Sequence, residues 1–111
     1  MSKGKIYPKR DIPDSVADIV KAICADYDRR EKDIAKGSIK CETKKLYKYL
    51  NGIIDMALEE IEIGIRRSIL DDISGKRGYD RSAINYSLSK NAYYRRKRKL
   101  IYDIAKSLKL L

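Results

Sequence analysis

From Ser89 the chain reads Ser-Lys-Asn-Ala-Tyr-Tyr-Arg-Arg-Lys-Arg-Lys, ending in five consecutive cations, Arg95 to Lys99. These residue types suit contact with a polyanion. Asn bonds adenine bidentately, Arg bonds guanine, and both Arg and Lys hold phosphate. On a helix opened by Ser89, the residues Lys90, Asn91, Tyr94, Arg95 and Arg98 project from one side. Tyr93, Leu100, Ile101, Ile104 and Leu108 fall on the other and predict the packed side. Arg96, Lys97 and Lys99 are then placed to meet flanking phosphates. Lys76 and Arg77, bracketed by Gly75 and Gly78, add a second cationic point in a loop. A basic run by itself is often only a solvated face or a nonspecific polyanion patch, so what precedes it matters.

The elements needed to position such a helix are written immediately upstream. A helix-turn-helix wants a small residue in its first helix, where the second crosses. It then wants an apolar residue before the turn, a small turn residue, an apolar plug and a cap. Ala83, Tyr86, Ser87, Leu88 and Ser89 supply these in order, with Ser87 where Gly is commonest. The pattern predicts a recognition helix over about 89–106, its N-terminal half toward base edges.

Charge agrees with that placement. The 111 residues carry 26 Lys plus Arg against 16 Asp plus Glu, for a net charge of +10. Residues 75–111 hold +9 of it, residues 37–50 hold +3, and residues 51–74 hold −4. A charge so concentrated makes a local field. Other chemistries lack their residues. There is no His, which removes the commonest general base and zinc ligand. No Gly-rich phosphate loop, nucleophile–base pair or CxxC occurs. Cys24 and Cys41 read as reduced thiols. Glu59, Glu60, Glu62, Asp71 and Asp72 read as a solvated acidic face, because neighbours on a helix point about 100° apart and do not converge on a metal. Asn85-Tyr86-Ser87 matches a glycosylation acceptor by chance, and Tyr47 and Tyr49 read as core edge. The expectation is a non-enzymatic protein with no metal and no cofactor. With no membrane-length apolar run and no signal-peptide pattern, it is expected in the cytoplasm.

An apolar content of 43% allows one packed core, and the length suits one domain. Residues 1–13, with Gly4, Pro8 and Pro13, read as a flexible basic arm. Val16, Ile19, Val20, Ile23, Tyr27 and Ile34 predict one helix over 14–36, capped by Asp14 or Ser15 and stopped at Gly37. Leu46, Leu50, Ile53, Ala57, Ile61, Ile65 and Ile69 predict a long helix from about 42 to 73, with Gly64 as its break. The final helix is expected from about Lys90 to Leu108. No stretch alternates with period two. The fold class is therefore all-α: a small helical bundle over 14–69 supporting a helix-turn-helix region over 70–111.

Three stretches resemble the late-gene transcriptional regulators of phages and prophages of Gram-positive bacteria, the ArpU and RinA-like group. Tyr27-Asp28-Arg29-Arg30 resembles the Tyr-x-Arg-Arg segment of that family's first helix. Asp55-Met56-Ala57-Leu58 resembles its Asp-x-Ala-Leu segment. Ser89 through Tyr94-Arg95-Arg96 resembles its recognition helix, which is similar to the promoter-reading helix-turn-helix of sigma factors. The resemblance implies a sequence-specific regulator that binds double-stranded DNA through Ser89, Lys90, Asn91, Tyr94, Arg95 and Arg98 in a bacterial host cell. Its N-terminal helices would contact host RNA polymerase or form a homodimer. The alternatives are a DNA-packaging component like a small terminase subunit, and a helical protein-binding adaptor.

Overall fold

A computed structural model describes residues 12–76 and 89–111. Arg77, Ala83, Tyr86, Ser87 and Leu88, and the arm expected over 1–13 apart from Ile12 and Pro13, lie outside the described residues. The protein is a small all-α bundle. Its elements are α1 (Asp14–Ala25), α2 (Tyr27–Lys36), α3 (Cys41–Leu58), a 3-10 turn (Ile63–Ile65), α4 (Arg66–Ile73) and α5 (Lys90–Ser107). Among the described residues there is no strand, and no helix is long and apolar enough to cross a membrane.

The helix expected over 14–36 is two helices. Asp26 (φ −96°, ψ 7°) separates α1 from α2. Arg30 supports the break: its guanidinium donates to the Ile23 carbonyl at 2.5 Å, beside the Asp26 N–H at 3.3 Å, so a carbonyl at the helix end is held by groups from beyond the helix. No Gly or Pro marks the break. The expected cap also differs: Pro13 holds the N-cap position and makes no side-chain bond, while Asp14 lies in the first turn, where a carboxylate favours the helix dipole. Gly37, at φ 72°, ends α2 as expected.

The long helix expected from 42 to 73 ends at Leu58, before Gly64. Arg66 again reaches back, from Nε to the Ile61 carbonyl at 2.7 Å and from Nη2 to the Glu59 carbonyl at 3.2 Å. The chain turns there and resumes as α4. Two hydrogen bonds close α4: Lys76 N–H donates to Asp71 at 2.8 Å and Gly75 N–H to Asp72 at 3.0 Å. This is a Schellman motif with Gly75 in the left-handed region (φ 85°).

One core unites the helices. Val20 and Cys24 of α1, Ile54 and Ala57 of α3, Ile61, Ile65, and Ile69, Leu70 and Ile73 of α4 meet Tyr93, Leu100, Ile101, Ile104 and Ala105 of α5. Helix α5 packs on α1 and α3, and α1 packs on α4. The division drawn between residues 69 and 70 falls inside α4, whose residues share this core. Leu46, expected inside, is 53% exposed, and Ile19 is 43% exposed.

Candidate nucleic-acid interface

Helix α5 begins at a real cap. Ser89 is extended (φ −64°, ψ 155°) and its Oγ accepts the Ala92 N–H at 3.0 Å. Such a bond stabilises a helix start by about 1 kcal/mol and fixes its first turn. Inward, Tyr93, Leu100 and Ile104 are each no more than 1% exposed, Ile101 and Ala105 are buried, and Leu108 lies half-buried against them. These are the residues expected to face the core, joined by Ala105. Their burial orients the whole rod.

Outward, Lys90, Asn91 and Arg95 are exposed, while Tyr94 and Arg98 are half-buried. Tyr94 meets Tyr93 edge to face, with 5.6 Å between centroids, and Lys97 Nζ lies 5.6 Å from the Tyr94 ring centroid. Spacing alone places Asn91, Arg95, Arg98, Tyr102 and Lys106 along one side of the helix. Tyr102 and Lys106, absent from the expected set, extend the cationic edge toward the C-terminus; Lys106 Nζ sits 5.8 Å from the Tyr102 ring. The signal that could have found them is the same three-and-four stepping that placed Arg95 and Arg98.

The three cations expected at flanking phosphates each sit on a carboxylate of this chain. Arg96 clasps Glu62, with Nε–Oε1 and Nη2–Oε2 both at 2.7 Å. Lys97 Nζ lies 3.0 Å from Asp72 Oδ1, and Lys99 Nζ lies 2.6 Å from Asp103. The Arg96 hydrogen bonds hold the Glu62 carboxyl below its ordinary range. Lys76 lies 3.5 Å from Asp28. Asp28 also takes a two-pronged contact from Arg67, at 3.0 and 2.5 Å, which lowers its pKa. The acidic residues therefore do more than form a solvated face: Glu62 and Asp72 grip α5 from outside the helix. A cleft of about 470 Å³ between Glu59–Glu62 and α5 is lined on its far side by Arg95, Arg96 and Lys99.

The Tyr-x-Arg-Arg and Asp-x-Ala-Leu segments touch each other. Tyr27 Oη donates to Asp55 at 2.5 Å. Arg30, 3% exposed, donates from Nε to Asn51 Oδ1 at 2.6 Å, and Asn51 donates in turn to Glu31 at 2.7 Å. Arg29 bonds Asp26 at 2.9 Å and Tyr47 Oη at 3.2 Å. These groups join α2 to α3. Both cysteines are free thiols, and burial pushes Cys24 up to about 12, which leaves it a poor nucleophile.

No family model matches the chain, and no curated protein or solved structure matches it.

Proposed function

We propose that the protein is a sequence-specific DNA-binding transcriptional regulator with α5 as its recognition helix. One observation carries this reading. A Ser-capped helix is anchored by a fully buried side, while Lys90, Asn91 and Arg95 stand exposed at its N-terminal half. That is the end whose backbone N–H groups and dipole favour phosphate, and the half that reaches base edges in a groove. The turn pattern Ala83-Tyr86-Ser87-Leu88 before it supports the same reading from sequence. So does the net charge of +9 over residues 75–111. The resemblance to phage and prophage late-gene regulators gives the proposed setting: promoter DNA in a bacterial cytoplasm, with host RNA polymerase as a further partner.

The test is selection of DNA by the purified protein from a random pool, followed by gel-shift titration of the winning sequence at several salt concentrations. A defined consensus and an affinity that falls steeply with salt are expected. Recovery of no consensus, or a flat salt response, would count against the proposal.

A further inference from the structure

We infer that the outer side of α3 is the contact surface for a second copy of this chain, paired antiparallel about a two-fold axis near Gly52. Leu46, Tyr49, Ile53 and Met56 follow one another at steps of three, four and three, the spacing of a coiled-coil seam. They lie off the side of α3 that is spent on the bundle, where Asn51, Ile54 and Ala57 are buried. Leu46 is 53%, Tyr49 55% and Met56 71% exposed, while Ile53 is half-buried at the core's margin. Four apolar side chains in register on one helix are more than scattered surface residues.

Charge selects the occupant and its direction. The seam's flank repeats every seven residues as Lys45, Gly52 and Glu59. Along α3 and its cap the net charge runs from +2 over residues 41–50 to −2 over residues 51–59. A parallel copy would set like charge on like. An antiparallel copy sets Lys45 of one protomer opposite Glu59 of the other, twice by symmetry. It stacks Leu46 on Met56 and Tyr49 on Ile53 across the contact. Gly52 then falls at the axis, where the absence of a side chain lets the two backbones approach. Within its own chain no close packing requires that glycine, since a Cβ there would meet nothing within 4 Å. The surface is self-complementary, which is what an isologous two-fold contact demands.

Sedimentation equilibrium of the full chain at low salt, without DNA, tests this independently of the function proposed above. A concentration-dependent monomer–dimer equilibrium is expected. Lys45→Glu and Glu59→Lys should each weaken it by about ten-fold or more through like-charge juxtaposition. The double variant K45E/E59K should return the dissociation constant to that of the parent. Met56→Glu should also give monomer with an unchanged helical circular dichroism spectrum, since the side chain is exposed. A chain that stays monomeric throughout overturns the inference. So does a dimer indifferent to both single changes, or one that the double change does not restore.

Discussion

The Tyr93 hydroxyl donates to the Asp72 carboxylate at 2.8 Å, and the other oxygen of that carboxylate takes Lys97 Nζ at 3.0 Å. Tyr93 is fully buried and Asp72 lies in the last turn of α4, so the two residues pin the start of α5 to the bundle. Tyr93→Phe keeps the ring in the core and removes one hydrogen bond to a charged acceptor. Urea denaturation should show a loss of about 1–3 kcal/mol. Asp72→Ala should cost more, because it strips the partner from both donors.

Arg30 is the other internal anchor. Its guanidinium is buried between Ile23 and Asn51, and desolvation lowers its pKa. Arg30→Ala leaves the Ile23 carbonyl with only the Asp26 N–H at 3.3 Å and leaves Asn51 Oδ1 without its buried donor, so a loss of about 3 kcal/mol is expected by thermal or urea unfolding. An unchanged midpoint would show that the break at Asp26 needs no arginine.

Base-facing and phosphate-facing positions should separate in binding experiments. Asn91→Ala or Arg95→Ala is expected to cost about 1–3 kcal/mol and to relax the preferred sequence at one position. Lys106→Ala should weaken all sequences alike and lower the salt slope by about one, and Lys99→Ala should lower it by less, because Asp103 already offsets that charge. Competition gel shifts over a set of point-mutated sites distinguish the two patterns.

Glu62 and Asp28 have carboxyls lowered from ordinary values of 4.5 and 3.8 by arginine hydrogen bonds. A lowered folded pKa stabilises the fold above the unfolded value, and that contribution disappears as pH falls through the folded one. Stability should therefore drop on the acid side of about pH 4.5. Glu62→Gln should flatten part of that limb. Both groups are well exposed, with side-chain accessibilities of 55% and 42%, so solvent screening keeps each effect small. Urea midpoints across an acid pH series measure it.

At the chain's end Lys109 takes φ 65°, and the Leu110 N–H closes on Ala105 at 2.9 Å. A left-handed residue with a side chain costs about 1 kcal/mol. Lys109→Gly should raise the unfolding midpoint by a corresponding small amount.

The sequence makes α5 legible because everything that fixes it is local. Ser89 sits beside the bonds it caps, and Tyr93, Leu100 and Ile104 repeat at helical spacing. The all-α class is legible for the same reason. The breaks after Ala25 and Leu58 were hidden, since neither is marked by Gly or Pro at the break itself. Each is stabilised by an arginine whose role depends on carbonyls five to seven residues back. Periodicity also cannot say which side of a stripe the rest of the chain covers. Leu46 fits the apolar stepping of α3 and stands half in solvent. The grip of Glu62 on Arg96 spans 34 residues, a distance over which residue type gives no pairing.

Among the described residues, carboxylates hold Arg96, Lys97 and Lys99 within the run of consecutive bases. A nucleic acid arriving at α5 must trade places with an internal rival at each of them, and the sodium it sheds there is offset by the acid left behind. Ionic strength should consequently govern association less steeply than five lysines and arginines in a row imply. Glu62→Gln, by retiring one rival, should tighten binding while slightly loosening the fold.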